Sequence, residues 1–409
     1  MRGRRTRSQS LGPAFTQLVW ARALIWIAGA ITKVALPLAV YQRTGSPALA
    51  AILTAFESTP YLLVGLPAGA LADRLRTRTV VITCCVVCGL ASGSVPLAAA
   101  TGVLTTPHLF VAGFAAGCAL VFFDAAMFAV LPAVVPRDAL VRAYSTTTAV
   151  QTTIALAGPA AGGVLAAAIT PVYTLLLDSL MFACATVVFA SFREPIRTRT
   201  SREVSIISTI VEGIRFIRGS AVVATMTLLG TGNATAEGVL VGMLIPTVVH
   251  IYGTSSDGGA VGLSYTMIAV GGLLGTAVSP TLAARVPIPT ITIGGLLIGA
   301  AGFAGWIWAP SFVIGLLGLV VFQTGGTVVI LNAITVRARL TPDALQGRVN
   351  TTARMVAWGG QPIGAYLAGG IVGIIGVTGT LSVGMSILLI TAVAAACSPL
   401  RHIGRIADH

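Results

Sequence analysis

Residues 65–78 read GLPAGALADRLRTR and join two long apolar stretches, residues 48–70 and 79–101. A short charged turn between two runs of roughly twenty apolar residues is the turn of a membrane hairpin. Gly69 lets two helices approach closely. Asp73 suits the N-terminus of a facing helix, and Arg74, Arg76 and Arg78 hold the turn in the cytoplasm. Similar apolar runs recur outward in both directions. We count about twelve, near 16–41, 48–70, 79–101, 108–132, 146–169, 171–192, 221–250, 260–283, 289–309, 311–335, 351–374 and 379–399. Of 409 residues, 56% are hydrophobic and 9% are charged, against about 25% charged in soluble domains. The chain therefore reads as an all-α integral membrane protein, with runs too long for barrel strands.

The formal charge of +13 follows topology rather than a nucleic-acid ligand. Arginines precede the first run, follow the second, fourth, sixth, eighth and tenth, and close the chain, whereas Arg43 alone lies in an odd-numbered connection. By the positive-inside rule both termini are cytoplasmic, and the dominance of arginine over lysine, with abundant Ala and Gly, reads as a GC-rich bacterial genome and so a multi-pass protein of a bacterial inner membrane. The arginine-rich start has no cleavage site, so the first apolar run reads as a retained span. All six cysteines lie in apolar runs. Cys85-Val-Val-Cys88 has no second pair and no histidine beside it, so small packing residues are favoured over a metal or redox site.

Two stretches carry a resemblance. Gly69-Ala-Leu-Ala-Asp73-Arg74-Leu-Arg76-Thr-Arg78 is similar to the G-x-L-A-D-R-x-G-R-[KR] loop of the major facilitator superfamily, with Arg76 and Thr77 standing where that pattern has Gly and Arg. Gly158-Pro159-Ala-Ala-Gly162-Gly163 resembles the G-P-x-x-G-G motif of exporters in the same superfamily, although Ile154 replaces its upstream glycine. Residues 39–47 resemble its drug (macrolide-type) and siderophore exporters. The resemblance implies two six-helix pseudo-symmetric halves with a substrate site between them near the bilayer midplane. It also implies a gating role for Gly69, Asp73, Arg74 and Arg78 and a helix bend at Gly158, Pro159, Gly162 and Gly163. The arginine common in the fourth span of proton-coupled members is missing, with Gly113 and Phe114 near its place.

The halves are also visible as a repeat. Arg137-Asp138-Ala139-Leu140 parallels Pro342-Asp343-Ala344-Leu345, and Pro159 parallels Pro362, each proline followed by paired glycines (Gly162-Gly163 and Gly369-Gly370). The expected organisation is residues 1–192, a cytoplasmic linker 193–220 with an amphipathic helix near Val204 to Ile217, and residues 221–409.

A charge at a helix centre costs ~2.5–3.5 kcal/mol on insertion scales, so charges inside spans mark function or pairing. Lys33, the only lysine, and Glu57 lie at similar depth on consecutive spans. They read either as a static ion pair or as part of proton coupling. Asp124 reads as a coupling residue or a support for the 73–78 turn, and Asp178 as a coupling residue or a group solvated at an outer funnel. Glu237, with Asn233 one turn away, is the leading proton carrier. Cavity candidates are Trp26, Tyr61, Phe122, Phe123, Asn233, Phe322, Gln361 and Trp358. Trp306 and Trp308 read as interfacial anchors. His108 and His250 read as interfacial polar residues, and Gln323 and Asn332 as cavity or helix-bridging residues.

The leading expectation is a secondary transporter that exports an amphipathic organic molecule, such as an antibiotic or siderophore, in antiport with protons. Its partners are a small-molecule substrate and membrane lipids, with no nucleic acid, and it works as a monomer. It needs no cofactor and no metal, with the proton gradient as energy source. The alternatives are a carrier of an anionic metabolite or lysolipid that meets Lys33, and a non-transporting membrane sensor. No P-loop, metal-binding histidine cluster or nucleophile with a nearby base supports an enzyme.

Overall fold

The computed structural model describes residues 12–65, 68, 75–136, 139–192, 206–254, 258–342 and 345–402. Among these residues all regular structure is helical. The first part of the chain forms α1 (Gly12–Thr44), α2 (Pro47–Leu63), α3 (Thr77–Ala100), α4 (Thr106–Val134), α5 (Leu140–Ile169) and α6 (Pro171–Ser191). A short helix, α7 (Ile206–Gly219), leads to α8 (Ala221–Gly242), α9 (Leu244–His250), α10 (Gly259–Arg285), α11 (Ile288–Trp308), α12 (Phe312–Leu340), α13 (Gln346–Trp358) and α14 (Gly360–Cys397). Local chemistry sets several starts. The Ser46, Ser220 and Ser311 hydroxyls accept from Leu49, Val223 and Ile314 N–H groups, and a proline stands in the first turn of α2, α4, α6 and α11, where its missing N–H leaves nothing unpaired.

Among the described residues, nine helical segments are long and apolar enough to cross a bilayer, or ten if α8 and α9, bent by 46° at Met243, make one span. The chain is a multi-pass membrane protein. That measure falls short of the expected twelve at two places. Helix α2 has only 17 described residues. Helix α14 runs through two expected spans, with the backbone leaving helical geometry at Gly376 (φ 71°, ψ 179°). The run expected at 221–250 is thus a broken one.

Glycines set the helix contacts. On α5, a methyl at Gly158 would stand 2.7 Å from Ala30 Cβ of α1, and one at Gly163 would stand 3.0 Å from Gly262 Cα of α10. On α14, a methyl at Gly364 would stand 3.0 Å from the Val239 nitrogen of α8, and one at Gly369 would stand 2.6 Å from Ile52 Cγ1 of α2. At Gly163 and Gly364 the backbones therefore meet directly, and at Gly158 and Gly369 a neighbouring side chain takes the place of the missing one. The two motif-bearing helices therefore pack alike: α5 lies on α1 and α10, and α14 lies on α8 and α2.

Two apolar cores belong wholly to α1–α6 and their turns. The third is built from α8 onward, with Val34, Leu38, Tyr41, Ala50, Ala51 and Ala166 added from the first part. All six lie towards the arginine-poor ends of their helices. There, too, the Tyr41 hydroxyl pairs with His250 Nε2 at 2.9 Å. The seam between the two parts is closed at that end.

Helix α7 covers the expected amphipathic segment from Ile206 onward, Val204 and Ser205 lying outside the described residues, and docks on α13. Glu212 pairs with Arg348, and a methyl at Gly213 would stand 3.0 Å from Thr352 Cβ. Of the gating turn, Gly69, Asp73 and Arg74 lie outside the described residues, as do Arg137, Asp138, Asp343 and Ala344 of the repeat. Arg78 Nη2 donates to the Ala190 carbonyl of α6. Trp306 is no interfacial anchor. It is fully buried against Tyr252 and Phe312, whereas Trp308 is exposed. Cys84, Cys85 and Cys88 are buried free thiols.

Candidate functional site

Two groups of charges lie within the membrane-spanning helices. The first is centred on Lys33 of α1. Its charge acts on Glu57 of α2 and on Glu237 of α8, so one cation serves a carboxylate from each part of the chain. No ion pair within 4 Å is recorded for Lys33 among the described residues, so its interactions span longer gaps. Both glutamates are half-buried and Lys33 is exposed. Tyr265 of α10 faces Glu57.

Helix α4 passes behind Glu57 because it is bare there. A methyl at Gly113 would stand 2.9 Å from Leu36 Cδ2 and 3.4 Å from Glu57 Cγ, and one at Gly117 would stand 2.9 Å from the Glu57 carbonyl oxygen. Phe56 lies beside this group, with ring centroids 5.4 Å from Phe110, 5.6 Å from Phe114 and 6.4 Å from Tyr366. Tyr366 shares a 3.1 Å hydrogen bond with Thr59.

The second group is centred on Asp124 of α4. The Tyr61 hydroxyl donates to Asp124 Oδ2 at 3.0 Å. Two arginines act on the same carboxylate, Arg22 from α1 and Arg354 from α13. Each arginine lies over the tryptophan four residues on. Arg22 Cζ is 4.6 Å from the Trp26 ring centroid, and Arg354 Cζ is 5.7 Å from that of Trp358. Such contacts hold a guanidinium in place without using its N–H groups. Asp124 of α4, Tyr61 of α2, and Arg354 and Trp358 of α13 are exposed. Sequence reasoning named Asp124, Trp26, Tyr61 and Trp358 but missed Arg22 and Arg354 as partners. The i, i+4 spacing of arginine and tryptophan in two spans signals the ring contacts, but no spacing links either arginine to Asp124. Sequence reasoning also missed Tyr265 and Tyr366, for which no spacing gives a cue.

Several expected site residues are placed elsewhere. Asp178 of α6 is fully buried rather than solvated at an outer funnel. Neither of its oxygens has a partner within hydrogen-bond geometry, and the polar groups acting on it are the Ser92 and Thr32 hydroxyls. Phe123 and Phe322 are packing residues and not cavity walls. They are buried and lie edge-on to Phe189 and Phe303 respectively. Asn233 is buried, with its amide facing Gly326 of α12. Phe122 and Gln361 are half-buried, Phe122 against the α1–α3–α4–α6 core. Asn332 bridges helices, donating to Thr292 Oγ1 at 2.9 Å and to the Ile288 carbonyl at 3.2 Å. His108 shares a 2.8 Å hydrogen bond with Ser94. A separate cavity of about 310 Å³ lies away from both charge groups, at the arginine-poor end, where Arg43, Thr170 and Tyr173 border it.

Among the described residues no three His, Cys, Asp or Glu side chains gather as metal ligands. The chemistry on offer is ion pairing, proton exchange on carboxylates, and binding of aromatic or cationic bodies. A family model described as Major Facilitator Superfamily matches residues 18–365. The multidrug efflux pump Tap of Mycobacterium tuberculosis is 27% identical over 377 residues, covering 89% of this chain and 88% of Tap. The enterobactin exporter EntS of Escherichia coli is 27% identical over 380 residues, covering 88% and 85%. In fold, the chain is similar to a bacterial homolog of the human lysosomal transporter Spinster in an inward-facing, unoccupied conformation, with TM-score 0.78, 15% identity and coverage of 96% and 98%. It is also similar to the nucleoside transporter NupG, with TM-score 0.80, 10% identity and coverage of 94% and 99%.

Proposed function

Since the chain belongs to the Major Facilitator Superfamily, we propose that it is a proton-coupled antiporter that exports an amphipathic organic molecule across a bacterial cytoplasmic membrane. The carrying observation is Lys33, shared by Glu57 from one part of the chain and Glu237 from the other. A proton taken up by one carboxyl leaves the lysine to the other, which changes the attraction between the parts. That is the kind of differential contact a two-state transporter needs. The names of the relatives Tap and EntS support export. The arginine distribution supports cytoplasmic termini. The like packing of α5 and α14 supports halves at 1–192 and 221–409 joined by 193–220. In this reading the 69–78 turn gates the cytoplasmic side and the 158–163 segment provides the bend.

The carboxylates also weigh against an anion at Lys33, because its charge is already shared between two acids. The test is movement of a lipophilic aromatic cation into inverted proteoliposomes under an imposed proton gradient. Glu237→Gln abolishes gradient-driven movement while binding persists. Movement at the wild-type rate in that variant overturns the role of Glu237. No gradient-driven movement by the wild type overturns proton coupling.

A further inference from the structure

Arg43 is the one arginine in an odd-numbered connection, at the end of the molecule where the positive-inside bias disfavours a cation. Among the described residues it has no hydrogen bond and no ion pair, and no carboxylate stands in a connection at that end. Arg43 is exposed and borders the cavity of about 310 Å³, a volume at the lower end of the ~300–1,000 Å³ range of small-molecule sites. Three helix ends frame this cavity. Arg43 lies in the last turn of α1, Leu104 in the turn from α3 to α4, and Thr170, Val172 and Tyr173 where α6 begins. Arg43, Thr170 and Tyr173 carry N–H and O–H donors, and no lining residue carries a carboxylate. The Thr170 hydroxyl is not spent on capping its own helix. Such a lining favours an anion.

From the cavity inward, the surface of α6 turns to lipid. Tyr173, Leu176 and Leu180 follow one another at i, i+3 and i+7, on one helix face, and are 45%, 49% and 53% exposed. That face runs about 10 Å into the membrane at 1.5 Å per residue. We infer that the cavity holds the phosphate of an anionic phospholipid from the leaflet at the arginine-poor end, with an acyl chain along the Tyr173–Leu176–Leu180 face. Arg43 supplies the charge, and the Thr170 and Tyr173 hydroxyls donate to the remaining phosphate oxygens. A free anion would meet the same donors but leave the apolar face unused. Arg43 lies ten residues beyond Lys33 on α1, about 15 Å, so this site is separate from both charge groups and independent of the transport reading.

The test uses the full chain in maltoside micelles and a phosphatidylglycerol that carries a diazirine on one acyl chain. After illumination, labelling of the peptide containing Leu176 and Leu180 is measured against probe concentration. It saturates, and Arg43→Gln raises the half-saturating concentration about tenfold, the loss of one charge-assisted contact. Arg43→Lys, which keeps the charge, recovers most of it. Unlabelled phosphatidylglycerol competes, whereas the matching diacylglycerol, which lacks the phosphate, does not. Labelling at Leu273 and Leu274, exposed leucines of α10, is the same in wild type and variants, and the variants keep the wild-type unfolding midpoint without lipid. Equal labelling of the α6 peptide in wild type and Arg43→Gln overturns the site and leaves ordinary lipid contact. Displacement of the probe by inorganic phosphate overturns the lipid as its source and leaves an anion site filled from solution.

Discussion

Lys33 serves two carboxylates, so its removal is felt by both. In a double-mutant cycle, Lys33→Met and Glu57→Gln couple by ~0.2–0.5 kcal/mol, the lower range for a solvent-accessible pair, read from unfolding midpoints. A coupling near zero would leave the lysine without a structural role towards Glu57. Asp178 behaves oppositely, because a fully buried carboxyl with only the Ser92 and Thr32 hydroxyls near it, neither in hydrogen-bond geometry, carries a desolvation penalty that an amide lowers. Asp178→Asn therefore stabilises the chain by about 1–3 kcal/mol, seen as a higher unfolding midpoint; a lower one would mean that the carboxyl holds something in place. At this scale the sequence was half informative. A charge inside an apolar run announces itself, as Lys33, Glu57, Asp124 and Glu237 did. The direction of an aromatic ring does not, because lipid-facing and core-facing surfaces are equally apolar. Phe123, Phe322 and Trp306 were misplaced for that reason, and Arg354 met Asp124 across 230 positions that no local spacing connects.

Helix contacts here depend on missing side chains. A methyl on Gly262 would run into the Pro159 carbonyl of α5, so Gly262→Ala forces α5 and α10 apart and destabilises by about 1–3 kcal/mol; an unchanged unfolding midpoint would mean that the helices slide freely. Gly376 differs, having open space around it but a backbone that side chains rarely adopt. Gly376→Ala costs about 1–3 kcal/mol through strain alone, and Gly376→Asn costs no less, since ψ 179° lies outside the left-handed helical region that Asn tolerates. Most elements were legible as runs of apolar residues, because a span must satisfy its own backbone and so fixes its own length. The break at Met243 had a cue that was passed over: Pro246 has no N–H to give the Gly242 carbonyl four residues back, which interrupts the helix there. The Gly-Pro and paired-glycine motifs pointed to close packing, but not to which helices meet.

For the whole molecule, the closed end makes a covalent test possible. A β-carbon at Gly242 would stand 3.3 Å from Ala51 Cβ, close to the spacing of a disulfide. Ala51→Cys with Gly242→Cys therefore joins α2 to α8 under oxidation. Transport stops and returns with reductant, while probe binding from the arginine-rich side continues. Transport that persists in the fully cross-linked protein would rule out opening at this seam. The all-helical membrane plan was the most legible level, because recurrent apolar runs and scarce charge admit little else, whereas the span count was not, since the described residues hold nine or ten spans against the expected twelve. Gly376 carries one more consequence. Its turn joins two passes with no packed neighbour within 4 Å, whereas Gly258, at the same end, is wedged against Gly163, Ala166 and Leu38. A peptide epitope or fluorophore spliced in at 376 would stand clear of every other helix, offering a handle on that face of the membrane for watching single molecules cycle.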